Sequence, residues 1–80
     1  MKRPEIYSII DGERFYQDNL WGDLDTRNNI SDFILYMENY LQKAKQTNNP
    51  DQHDQSLDAL RKVVALGIAC FEKFGVPSRQ

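Results

Sequence analysis

One histidine and one cysteine bound the side-chain chemistry open to this 80-residue chain. Cys70 lies inside an apolar run, Val63 to Phe71, where a thiol is usually inert. His53 lies in the polar stretch TNNPDQHDQ, with no second ligand three or four residues away. A zinc site needs three or four such ligands, so no metal site of that kind is expected. The four glycines are scattered and form no phosphate-cradling loop.

Carboxylates are the next resource. A helical Mg²⁺ site needs several Asp or Glu on one face, commonly as E-x-x-E or E-x-x-D. The expected second helix offers only Glu38 among its interior positions, and the third offers Asp58, with Arg61 and Lys62 at i+3 and i+4. A carboxylate followed by two cations at that spacing is first a helix-surface ion pair, worth about 0.2–0.5 kcal/mol in isolated helices. Near the N-terminus, Glu13, Arg14, Gln17 and Asp18 precede Trp21-Gly22. The plain reading is a polar helix face ending in a turn, with Trp21 as a core anchor. The chemical reading is a guanidinium fork close to an aromatic surface, a pair that can hold phosphate and stack a base.

Three helices must position these residues, over about 4–21, 32–46 and 54–74, and no strand is expected. Pro4 suits the first turn of the first helix, whose apolar positions are Ile6, Ile9, Ile10, Tyr16 and Leu20. Gly12 weakens it, with a break or kink as one outcome. Residues 23–29 read as a loop. Ser31 is the expected N-cap of the second helix, with Ile30 stapled on Leu35. That helix carries the stripe Phe33, Ile34, Met37, Tyr40, Leu41 and Ala44. In the third helix the expected inward face is Leu57, Leu60, Val64, Gly67, Ile68, Phe71 and Phe74, with Gly75 as terminator and Pro77 beyond.

The third helix is apolar on every side from Val63 to Phe71, so it must be covered on every side. The expected reading assigns its second face to another copy of the chain, through Val63, Ala65, Leu66, Ala69 and Cys70, with small residues permitting close approach. Length points the same way. A chain of 9.4 kDa holds one domain at most and buries only about 60–65% of its unfolded surface. It has no second cysteine for a disulfide staple, which leaves helix packing or a homo-oligomer. A net charge of −2 argues against a general nucleic-acid partner. The nine-residue apolar run is too short for a membrane span. The lone thiol and the absence of a signal-peptide core lead to the expectation of a reducing cytoplasm.

Glu13-Arg14-x-x-Gln17-Asp18-x-x-Trp21-Gly22 resembles the opening of small phage MazG-like proteins, whose signature reads E-R-x-x-Q-x-x-x-W-G. The following order is similar too: a loop, the helix FILYMENYLQKA, a polar linker, and the helix LDALRKVVALGIACFEKFG with Phe71-Glu72 near its end. The resemblance covers about residues 10–79. It implies an all-α nucleotide pyrophosphohydrolase-like fold, with three-helix protomers that associate through their helices and bind nucleotides between them. Active members of such a family hold Mg²⁺ on E-E-x-x-E and E-x-x-D motifs.

This chain departs from those motifs. The first region reads Met37-Glu38-Asn39-Tyr40-Leu41, and in the second the acidic positions fall on Asp58 or Ala59 and on Arg61 or Lys62. Hydrolysis by the family mechanism needs a metal that these residues poorly supply. Arg61 and Lys62 can instead pair directly with a pyrophosphate, and Trp21, Tyr36 and Tyr40 can offer stacking faces. The same residues also have plain uses, as a solvated cationic face and an aromatic rim. The leading expectation is a non-catalytic protein, without catalytic residues or cofactor, that sequesters a nucleotide signal of host immunity, of cyclic ADP-ribose or cyclic dinucleotide type. Its ligand residues would be Glu13, Arg14, Gln17, Trp21, Tyr36, Tyr40, Arg61 and Lys62, and its setting the cytoplasm of an infected or lysogenic host. One alternative is a Mg²⁺-dependent dNTP pyrophosphohydrolase using Glu38, Asp58 and Glu13 or Asp18. The other is a protein-binding inhibitor module with no small ligand.

Overall fold

The computed structural model describes residues 1–22 and 27–79, and these are helical with no strand among them. Residues 23–26 of the expected loop lie outside the described residues. The elements are α1 (Arg3–Trp21), α2 (Ile30–Gln46), a single 3₁₀ turn at Pro50–Gln52, and α3 (His53–Phe74). Among the described residues no helix is long and apolar enough to cross a membrane.

Local chemistry sets the helix ends. Glu5 accepts the backbone N–H of Lys2 at 3.4 Å, and Pro4 sits in the first turn. α1 runs unbroken through Gly12. The cap of α2 is Asn29, two residues before the expected Ser31. Asn29 accepts the Asp32 N–H at 3.0 Å, and Asp32 accepts the Asn29 N–H at 2.9 Å. That reciprocal pair satisfies two N–H groups, which a lone Ser31 cap would not match. Ile30 is thereby drawn into the first turn, and it and Leu35 are exposed. Asn49 caps the 3₁₀ turn through Asp51 N–H at 3.1 Å. Ser56 then donates to the Ala44 carbonyl at 3.1 Å and ties α3 to the end of α2. α3 stops at Gly75, whose φ of +85° strains any residue with a side chain.

α2 lies along α3, whereas α1 and α2 scarcely meet. The core is Phe33, Leu66, Ala69 and Cys70, with Trp21, Met37 and Tyr40 packed against it. Phe74 closes one end, edge-on to Phe33 with ring centroids 6.4 Å apart. In α2 the expected stripe is inward only at its centre line. Phe33 and Ala44 are buried, Met37 and Tyr40 half-buried, and Ile34 and Leu41 exposed.

Two faces differ from expectation. On α1 only Ile10 of the expected apolar set is buried, and its companions on that face are Arg14 and Gln17. On α3 the assignment is inverted. Ala65, Leu66, Ala69 and Cys70, expected to meet a second copy, are buried inside the protomer, and Val63 is half-buried. Leu57, Leu60, Val64, Ile68, Phe71 and Phe74, expected inside, are exposed. The cause is size. Helices approach closely over small residues, and Ala59, Ala65 and Ala69 provide that surface to the chain's own neighbouring helices.

Candidate functional site

α1 lies across α3 through an unusually polar joint. Arg14 is only 7% exposed and its guanidinium is engaged at three nitrogens. Nε donates to Glu72 at 2.8 Å, Nη1 to Gln17 at 2.9 Å, and Nη2 to Asp18 at 2.7 Å. Burial alone would lower the Arg14 pKa, but the bonds to Glu72 and Asp18 outweigh it, and the net shift is upward. Gln17, 2% exposed, has its carbonyl oxygen satisfied only from Arg14 among the described bonds. One residue earlier on α1, Glu13 accepts from Arg61 Nε at 2.8 Å. Arg61 and Glu72 are separated by about 16 Å of helix rise, which is why neighbouring residues of α1 can reach them only if α1 crosses α3.

A charge chain continues from that joint. Arg61 also donates to Asp58, and Lys62 Nζ lies 3.3 Å from the second Asp58 oxygen. Burial would raise the Asp58 pKa, yet the bond from Lys62 and the charges of Arg61 and Lys62 hold it below its ordinary value. The Arg61 pKa is raised, first by its bond to Glu13. The chain ends on an aromatic ring, with Lys62 Nζ 5.5 Å from the Tyr40 centroid.

Beyond Tyr40 opens a cleft of about 470 Å³ between the end of α1, residue 28, α2 and α3. Trp21, Tyr36 and Tyr40 supply its aromatic surfaces, and Leu66 its floor. Asn28, Asn39 and Lys43 supply the polar groups. Tyr36 Oη donates to Asn28 Oδ1 at 3.3 Å, and Lys73 donates to the Asn28 carbonyl. These two bonds fasten the loop end to α2 and α3. The cleft therefore has apolar faces for a planar ring, amides for ring edges and a cation for an anion, the usual composition of a small-molecule site.

The expected ligand residues thus divide. Trp21, Tyr36 and Tyr40 come together in the cleft, with Lys62 against Tyr40. Glu13, Arg14, Gln17 and Arg61 lie in the α1–α3 joint, bonded to one another and to Gln17's neighbour Asp18, to Asp58 and to Glu72. The guanidinium fork expected for phosphate is occupied by the protein's own carboxylates. Asn39 and Lys43 were not in the expected set. Their signal was available, because Tyr36, Asn39, Tyr40 and Lys43 follow i, i+3, i+4, i+7 along one helix face.

The carboxylates that a Mg²⁺ site would draw on do not fit one. Asp58 is held by Arg61 and Lys62, Glu13 by Arg61, and Glu38 lines a separate groove with Leu41 and Lys45. Among the described residues no three His, Cys, Asp or Glu side chains converge. No family model, curated protein or solved structure matches the chain.

Proposed function

We propose that this protein binds a phosphate-bearing nucleotide in the Trp21–Tyr36–Tyr40 cleft and sequesters it without cleavage. The observation that carries this reading is the contrast in polar groups. The cleft presents amides and Lys43 beside three aromatic rings, whereas Asp58 and Glu13 are bound to cations. A base can stack on tyrosine or tryptophan, an interaction worth about 1–3 kcal/mol per base. Lys43, at the cleft rim, can then meet a phosphate by charge-assisted bonds, while Lys62 stays with Asp58 and the Tyr40 ring. A volume of about 470 Å³ lies within the usual range of about 300–1,000 Å³ for ligand pockets.

The resemblance to MazG-like proteins supports a nucleotide ligand, and the departure from the acidic motifs supports binding without hydrolysis. A cyclic ADP-ribose or cyclic dinucleotide signal of host immunity fits both, because neither needs a metal to be held. The protein would then be an anti-defence sponge of phage type, working as a homo-oligomer.

The test uses a panel of dNTPs and cyclic nucleotide signals, with and without Mg²⁺. Free ligand is removed by filtration, the protein is heat-denatured, and the released material is identified by mass spectrometry. Intact ligand recovered only after denaturation is the expected result. Monophosphate plus pyrophosphate in the Mg²⁺ samples would establish the pyrophosphohydrolase instead. Neither depletion nor product would leave a protein-binding module.

A further inference from the structure

Apart from the aromatic side chains, the polar groups that border the Trp21–Tyr36–Tyr40 cleft are two amides, Asn28 and Asn39, and one ammonium, Lys43. Among the described residues its lining holds neither a carboxylate nor a guanidinium. The amides differ in what they have left to offer. Asn28 Oδ1 accepts from Tyr36 Oη at 3.3 Å, and the Asn28 backbone carbonyl accepts from Lys73. Asn39 is exposed, and its side chain has no hydrogen-bond partner among the described residues. Its carboxamide therefore keeps an acceptor oxygen and two N–H donors side by side. Lys43 has no ion-pair partner among them either.

α2 sets these groups in a fixed order. Tyr36, Asn39, Tyr40 and Lys43 share one helix face, so the free amide sits between two rings and one turn before the free ammonium. Asn39 and Lys43 are about 6 Å apart along the helix axis. That is the layout of a nucleotide, whose flat base carries a polar edge and whose phosphate lies across the sugar from it. The rings can take the face of a base, and Lys43 the phosphate. Asn39 is left to meet the base edge.

Base edges differ in the groups they require. Adenine presents an amino donor beside a ring-nitrogen acceptor, a pair that one carboxamide satisfies with its oxygen and its N–H. Guanine presents two acceptors, O6 and N7, on one edge, matched by a guanidinium or an ammonium. On its other edge it presents N–H donors, matched by the two oxygens of a carboxylate. The described lining supplies no carboxylate, and its one cation is needed for phosphate. Arg61 and Lys62 are held outside it by Glu13 and Asp58. We infer that Asn39 reads the edge of adenine and makes the cleft selective for adenine nucleotides over those with a 6-oxo purine. The inference rests on nucleotide binding in this cleft, as proposed above, and adds the base and the residue that chooses it.

The test is calorimetric titration of the full chain in EDTA with ligand pairs that differ only in the base. The pairs are cyclic ADP-ribose against its hypoxanthine analogue, and cyclic di-AMP against cyclic di-GMP. In whichever pair binds, the adenine member should be tighter by about 5–100-fold, the discrimination carried by one bidentate amide contact. Asn39→Ala should erase that preference by weakening the adenine member alone. Gln42→Ala removes an amide of the same helix that lines a different groove, and should leave the preference intact. No binding by any of the four ligands would contradict the nucleotide site itself, and the base assignment with it. Binding with equal affinities, or with the 6-oxo purine preferred, would overturn the adenine inference and leave the nucleotide site standing. An adenine preference that survives Asn39→Ala, or that Gln42→Ala abolishes, would overturn the role of Asn39.

Discussion

The α1–α3 joint and the α2 cleft both set cations beside polar groups, yet the joint's cations are paired within the chain, whereas the cleft adds three aromatic rings and an open volume. In the joint, Arg14 is buried and its fork is closed by Glu72, Gln17 and Asp18. In the cleft, Lys43 and Asn39 border an open volume beside Trp21, Tyr36 and Tyr40. Whether a cation serves structure or recognition depends on where its counter-charge comes from. A buried cation must find it within the chain, because an unpaired buried charge is very costly. A rim cation can leave it to a ligand. Glu13, Arg61, Asp58 and Lys62 bridge the regions, running from the joint to the face of Tyr40.

The largest expected effect lies in the joint. Arg14→Met should cost about 2–3 kcal/mol in urea unfolding, toward the low end for a broken buried pair because Glu72 and Asp18 are more than half exposed. Arg14→Lys should recover only part, since an ammonium cannot serve three acceptors in the plane of a guanidinium. A cost below 0.5 kcal/mol, roughly that of a surface pair, would erase the distinction between the regions. Tyr36→Ala tests the other side. Tyr36 is an exposed residue, so stability should change little, while nucleotide affinity should fall about 5–100-fold by loss of one stacking face. Unchanged affinity in calorimetric titration would move the ligand elsewhere.

The bridge should respond to acid. The folded-state pKa of Asp58 is depressed, so its contribution is complete above the unfolded value, about pH 4, and fades as pH falls through the folded one. The stability difference between wild type and Asp58→Asn should be flat from pH 7 to 5 and shrink below pH 4. A difference that persists at pH 2 would show that Asp58 acts through packing. The smallest effect concerns neither region. Gly12→Ala should raise stability by about 0.5–1 kcal/mol, because a Cβ there meets nothing within 4 Å. A loss would reveal a neighbour at Gly12, such as a second copy.

The three helices, the Gly75 stop and the inward positions of Phe33 and Ala44 were legible from local pattern. The faces of α3 were not. From Val63 to Phe71 this helix is apolar on every side, and its large side chains drew the assignment away from the alanine side that its neighbours use. Nor was the buried role of Arg14 legible, because its chief partner, Glu72, lies 58 residues away. Trp21, Tyr36 and Tyr40 border the cleft, but residue type alone does not single them out, because Tyr7 and Tyr16 are exposed on α1 away from it. Their polar companions Asn39 and Lys43 needed the position of α2 as well.

Trp21 is the only tryptophan in the chain and lines the cleft, so its emission reports that site directly. Titration with cyclic ADP-ribose and cyclic dinucleotides in EDTA, followed at the indole band, is therefore the most direct test of the central claim. The expected result is a saturable change in Trp21 emission with at least one of these ligands, undiminished by chelation and weakened in Tyr36→Ala. No change with any of them, or a change that requires Mg²⁺ and is accompanied by pyrophosphate release, would contradict it.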